Sequence, residues 1–339
     1  MTFRSILCPI DFSPQSAAAL HVASVMGERF GARLTVMFVN DPILLAAATA
    51  AYRGRRTFVD RTNAELARFL KRATGASKGA QDGIRLVVRA GNPAEEILTE
   101  ARRLRSDLLV MGSHGLSGIQ KALFGSTTEQ VFRNARVPVL AIPPSMRSGR
   151  RAALDISRVI APIDLAGEWQ SDAIRAATVA AQFDAQLLLV HVLAPIQAPP
   201  WAMSTVRSNE RRRVEKARTA LERVRTKLFT DLESMSTLVV VGNAAHEIAR
   251  LTTGGRSLVV MSLRGTAGIW GLRRGSIAYH VLTHSSTPVL ALPRRRIGGR
   301  FLVRAKKAIG GALSARDRME IAGIDALLSL GSTRKPVTR

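Results

Sequence analysis

Ser5-Ile-Leu-Cys-Pro-Ile-Asp11 returns as Arg158-Val-Ile-Ala-Pro-Ile-Asp164, 153 residues further along the chain. The same offset relates Ala32-Arg-Leu-Thr-Val-Met-Phe-Val39 to Ala185-Gln-Leu-Leu-Leu-Val-His-Val192. It then drifts: Val87-Val-Arg-Ala-Gly-Asn92 answers Val239-Val-Val-Gly-Asn243, and Val137-Pro-Val-Leu-Ala-Ile-Pro143 answers Thr287-Pro-Val-Leu-Ala-Leu-Pro293. Matched blocks in one order mean a duplicated unit, and each copy is expected to fold alike. Within each copy, short β-branched apolar runs alternate with longer segments of helical period. That alternation, with runs apolar on both faces, is the pattern of a parallel sheet covered by helices. Strands are expected at about 4–10, 33–39, 84–89, 107–112 and 137–142, and again at about 157–163, 186–192, 236–241, 257–262 and 287–292. Ser13-Pro14 predicts a capped helix running to about Phe30, and Ser204 to Leu228 a long charged one.

The composition agrees with two such units. A length of 339 residues exceeds one ordinary domain, and the 46% hydrophobic content contains no uninterrupted apolar stretch of membrane-spanning length. The first ten residues lack a basic head and a long apolar run, so no secretory leader is expected. The single cysteine, Cys8, excludes an internal disulfide and a cysteine-held metal, which fits a reducing cytoplasm; burial in its strand is expected. Fifty basic residues stand against 25 acidic ones. The excess is steepest at residues 294–339, with 12 basic and 3 acidic residues. Such a field favours polyanions: nucleotides, nucleic acid or acidic lipid.

Open parallel sheets bind ligands beyond the carboxyl ends of their strands. One loop there stands out. After the fourth apolar run comes Gly112-Ser-His-Gly115, then nine residues, then Gly125-Ser-Thr127 opening a helical stretch. Glycines let backbone approach phosphate oxygens, and Ser126 and Thr127 at a helix start add hydroxyl and amide donors. Neither GxxxxGK[ST] nor GxGxxG occurs, which disfavours a P-loop kinase or a Rossmann dehydrogenase. The bland alternatives are a simple glycine turn, and Asp11 as a cap for the helix after Ser13. The recurrence of Asp11 as Asp164 weakens the second.

This spacing, with Pro-Ile-Asp at 9–11, Gly-Asn-Pro-Ala at 91–94 and Val-Pro-Val at 137–139, resembles the universal stress protein family over about residues 3–143 and 157–293. The resemblance implies two flavodoxin-like doubly wound parallel sheets in tandem, each of strand order 3-2-1-4-5. Residues 1–143 and 157–293 would be the domains, 144–156 the linker, and 294–339 a basic helical tail. It further implies ATP, with magnesium, as ligand. Asp11 and Val39, beside Ile10 and Met111, would hold the adenosine; Gly112, His114, Gly115, Gly125, Ser126 and Thr127 would surround the phosphates. A carboxylate suits ribose hydroxyls and would repel phosphate. The second half keeps Asp164, Val192, Gly265, Gly275 and Ser276 as weaker candidates, but Ser262 replaces the first glycine, and Arg264, Arg273 and Arg274 crowd the loop.

The residues fit a nucleotide-dependent regulatory module of the cytoplasmic stress response, with at most slow ATP hydrolysis. A hydrolase or adenylyl transferase would need a general base at the phosphate loop, and His114 alone is available there. A nucleic-acid or membrane-surface adaptor would act through the tail, where 294–307 is the candidate for polyanion contact and 314–330 reads as a helix packed onto the protein. His191 and His246 read as structural, and no metal-ligand cluster is spaced in the sequence. Each half ends in an apolar strand that the implied order would leave at a sheet edge. An unpaired apolar edge invites aggregation, so the halves are expected to pair with each other there.

Overall fold

The structure is a computed structural model that describes residues 3–51, 55–75, 83–113, 125–146, 154–166, 169–199, 201, 203–228, 235–253, 256–263 and 276–293. The tail, with both segments singled out above, lies outside the described residues.

Ten strands form: β1 Ser5–Ile10, β2 Arg33–Asn40, β3 Arg85–Ala90, β4 Leu108–Gly112 and β5 Val139–Ile142 in the first half, then β6 Arg158–Pro162, β7 Gln186–Leu193, β8 Met235–Val241, β9 Ser257–Leu263 and β10 Val289–Pro293. The last strand of each half begins at residue 139 or 289, not at 137 or 287 as the apolar run suggested. Proline supplies no amide donor, although its carbonyl still takes part: Leu109 N donates to Pro138 O at 2.9 Å and Val259 N to Pro288 O at 3.0 Å.

The first half carries helices α1 Pro14–Phe30, α2 Pro42–Ala51, α3 Arg55–Thr74, α4 Pro93–Arg103 and α5 Ser126–Asn134; the second carries α6 Trp169–Phe183, α7 Met203–Leu228, α8 Ala244–Leu251 and α9 Ile277–His284. Their ends follow local chemistry. Ser13 accepts from Ser16 N and Pro14 fills the first turn of α1, while Gly31 closes it at φ 59°. Asn92 accepts from Ala94 N and Glu95 N at the start of α4, and Asn243 repeats the cap on α8 through His246 N. Before α4, Gly91 sits at φ 152°, where a side chain would meet Glu96 at 3.0 Å.

The strands make one sheet of order β3-β2-β1-β4-β5-β10-β9-β6-β7-β8, which is 3-2-1-4-5 in each half. Pairing is parallel within each half. At the centre β5 and β10 run antiparallel, with Leu140 opposite Leu290, so the two edges left by the separate halves are joined as expected. Alternate strand residues feed two cores. One face is covered by α1, α3, α6 and α7, the other by α4, α5, α8 and α9. The halves also meet on the first face, where Phe30 and Phe183 pack edge to face at 5.5 Å. Arg29 lies 5.2 Å from the Phe183 ring and donates to Gln182 O. Of the linker, Leu154 and Ile156 are buried in this core and Ser145 donates to Ser286 O at 2.8 Å.

Cys8 is fully buried, and burial pushes its thiol far above the usual range, so it acts as a small apolar core residue. No helix among the described residues is long and apolar enough to cross a membrane.

Candidate functional site

The carboxyl ends of β2, β1 and β4, with the start of α5, enclose a cleft of about 310 Å³. Ile10, Asp11, Val39, Met111, Gly112, Gly125, Ser126 and Thr127 line it, so eight of the ten first-half candidates meet in one place. His114 and Gly115 lie outside the described residues.

The turn after β1 fixes Asp11. Its Oδ1 accepts from Ser13 N at 3.0 Å, and its amide faces Ser16 Oγ at 3.4 Å. The carboxylate therefore does order the turn, as the capping alternative holds, and it lines the cleft as well. The next residue, Phe12, takes the left-handed conformation at φ 62°, which a bulky residue adopts at a cost. Phe38 and Phe69 hold it there, with ring centroids at 4.6 and 5.4 Å.

On the other side the start of α5 is pinned to β4. Thr128 Oγ1 donates to Gly112 O at 3.1 Å, and Gly125 N donates to Ser113 O at 3.2 Å. The cap residue is Gly125, so the first amides of the helix have no capping side chain as acceptor among the described residues. Those donors, with the positive end of the helix dipole, face the cleft. The cleft thus presents a carboxylate on the β1 side and a helix start on the β4 side.

Sequence reading missed six lining residues: Pro9, Ser16, Phe38, Pro93, Ile97 and Thr128. Pro93 belongs to the quoted Gly-Asn-Pro-Ala motif, which had been given no role, and Ile97 follows one turn on. Their helix is moored by Glu100, which is buried while Arg89 Nη2 donates to it at 3.0 Å and Arg103 Nε at 2.9 Å. Hydrogen bonds from Arg103 first, then the charge of Arg89, hold the Glu100 carboxyl below its usual range against desolvation.

The second half builds a roomier cleft of about 460 Å³ at the ends of β6, β7 and β9. Asp164, Val192 and Ser276 line it; Gly265 and Gly275 lie outside the described residues. Asp164 repeats the turn of Asp11, its Oδ1 accepting from Ala166 N at 3.0 Å. Here the helix start differs. Ser276 is the cap, and its hydroxyl accepts from Tyr279 N at 3.2 Å. Ile277 and Ala278 follow where the first half has Thr127 and Thr128. Ser262 lines the cleft in place of Gly112, and its Oγ is buried with no hydrogen-bond partner among the described residues. Two further polar residues went unnoticed as cleft residues. Asp172 comes from the first turn of α6, and His191, read as structural, is fixed by Nδ1 at 2.8 Å from Ile163 O but also faces the cleft. His246 is surface-exposed. Among the described residues no group of three metal-ligating side chains occurs.

A doubly wound sheet with paired clefts at its strand ends defines a class of small-ligand-binding α/β proteins. Comparison with known proteins narrows the class. The model of the universal stress protein family matches twice, at residues 2–143 and 156–293, and the chain belongs to that family. Similar proteins include a universal stress protein of Bacillus subtilis, YxiE, 30% identical over 146 residues that span 41% of this chain and 99% of that one. Another, MJ0531 of Methanocaldococcus jannaschii, is 28% identical over 41% of this chain and 82% of its own length. Among solved structures, a universal stress protein of Archaeoglobus fulgidus aligns over 87% of this chain and all of its own, with TM-score 0.58 and 20% identity. At that identity the likeness bears on the fold alone.

Proposed function

We propose that the first half binds ATP, with magnesium arriving on the nucleotide, and that the chain is a cytoplasmic stress-response module whose conformation or partners follow nucleotide occupancy. One observation carries this reading: the start of α5, without a side-chain cap, faces the same cleft as Asp11. Helix amides without a side-chain acceptor suit phosphate oxygens, and a carboxylate suits ribose hydroxyls while repelling phosphate. The residues thus fit a ligand that is a diol at one end and an anion at the other. Gly112, Gly125, Ser126 and Thr127 would surround the phosphates, with His114 and Gly115 from the same loop; Asp11, Ile10, Val39 and Met111 would hold the adenosine. In the second half Asp164, Val192, Gly265, Gly275 and Ser276 give a weaker version of that site. Turnover would be slow, because no described side chain in the first cleft is placed as a general base; hydrolysis should run at least about a thousandfold below the enzyme median of roughly 10 s⁻¹.

Calorimetry of the full chain with Mg-ATP tests the reading, alongside mass spectrometry of any ligand released on denaturing freshly purified protein. About one site per chain is expected. No binding, or two equal tight sites, overturns it.

A further inference from the structure

The second cleft has kept one end of the first and exchanged the other. Asp164, Val192 and Met261 stand where Asp11, Val39 and Met111 stand, and all six line their clefts. At the other end the helix amide is taken by Ser276 Oγ, and two threonines have become Ile277 and Ala278. An anion arriving there would find one of the first amides, Tyr279 N, occupied and apolar side chains beside the others.

The polar groups that line this cleft are mostly acceptors. Asp164 and Asp172 are carboxylates. His191 Nδ1 lies 2.8 Å from a carbonyl oxygen, which requires the proton on that nitrogen and leaves Nε2 of the neutral ring as an acceptor. Ser262 Oγ, buried without a partner among the described residues, can accept or donate. A buried hydroxyl left so carries an uncompensated desolvation cost, which a ligand group reaching it would offset. Two carboxylates repel phosphate, and acceptors demand a ligand rich in donors. A volume of about 460 Å³ is ample for a nucleoside.

We propose that the second cleft binds a phosphate-free nucleoside, its vicinal hydroxyls on Asp164 and a further donor on Ser262 Oγ or His191 Nε2. The step from diol to nucleoside rests on the ATP reading of the first cleft. One chain would then hold a nucleoside triphosphate and a nucleoside side by side, in halves joined through β5 and β10.

The test is calorimetry of adenosine into full-length chain already saturated with Mg-ATP. One adenosine per chain should still bind. AMP should bind at least about tenfold more weakly than adenosine at this site, and Asp164→Asn, which keeps an acceptor for Ala166 N, should weaken adenosine at least about tenfold without altering thermal unfolding. The proposal is overturned if ATP-saturated chain takes up no adenosine, if Asp164→Asn binds it unchanged, or if AMP binds as tightly. Should ATP bind nowhere, the reading of the first cleft fails by itself. Adenosine is then titrated alone, where loss in Asp164→Asn with retention in Asp11→Asn supports the second site, and the reverse overturns it.

Discussion

The two clefts share a sheet topology, an aspartate-anchored turn and matched valine and methionine walls, yet their helices begin one residue apart. In the first half Glu129 N donates to Gly125 O, so Ser126 lies inside the helix; in the second His280 N donates to Ser276 O, so the equivalent serine becomes the cap. The Thr128 hydroxyl bonded to Gly112 O draws the start of α5 back toward β4. Ala278 has no hydroxyl to do the same. The loss of this threonine hydroxyl thus coincides with the difference between a helix start that opens on the cleft and one that is satisfied by its own serine. A duplicated fold can therefore differ in what its helix start offers to a cleft while every strand keeps its register.

The largest expected effect is at Gly112, where the proposed site would take the phosphates. Gly112→Ser copies Ser262 into it and should weaken ATP at least about a hundredfold, or roughly 2.7 kcal/mol. A loss below about fivefold in calorimetry would break the contrast between the clefts. Next comes the mooring of α4. Glu100→Gln leaves two arginines without a carboxylate that is itself buried, and should lower stability by about 2 kcal/mol, a value reduced because both arginines are partly exposed. On the matching helix of the second half Leu251 stands where Glu100 does, and Glu247, at the position of Glu96, is held below its usual range chiefly by its hydrogen bond from Arg250; that pair is more exposed, so Glu247→Gln should matter less in chemical denaturation.

The sign of the pH dependence follows from Glu100. Its folded-state pKa is depressed, so its contribution is full above the unfolded value of about 4.3 and disappears as pH falls through the folded value. Wild type and Glu100→Gln should converge in stability at strongly acid pH. A gap that stayed constant down to pH 2 would show that packing, not charge, separates them.

Smaller effects probe the helix start directly. Thr128→Ala removes a buried hydrogen bond and should cost about 1–1.5 kcal/mol, with ATP binding weakened several-fold as α5 takes on the start of α9. Unchanged ATP affinity would detach the threonine from the comparison. Ser276→Ala should lower stability by about 1 kcal/mol through the lost cap, whereas Ser126→Ala, which removes no cap, should shift the melting temperature less. Equal shifts would mean that the one-residue offset has no energetic content.

The sequence by itself determined the repeat, the ten strands to within about two residues, the strand-end position of Asp11 and Asp164, and the pairing of the last strands. Each of these is written locally or by repetition: apolar runs mark strands, the Ser13-Pro14 pair marks a helix start, and an apolar edge demands a partner. Tertiary structure decided the rest. Phe12 is held at positive φ by Phe38 and Phe69, which are distant in sequence. Asp172 and His191 reach one cleft from different elements, and Ser126 and Ser276 part company where hydrogen bonds donated to the carbonyls of Gly112 and Ser113 set the start of the first helix. Such outcomes depend on which side chains meet across strands and helices, and that is settled by packing, not by any local pattern of residues.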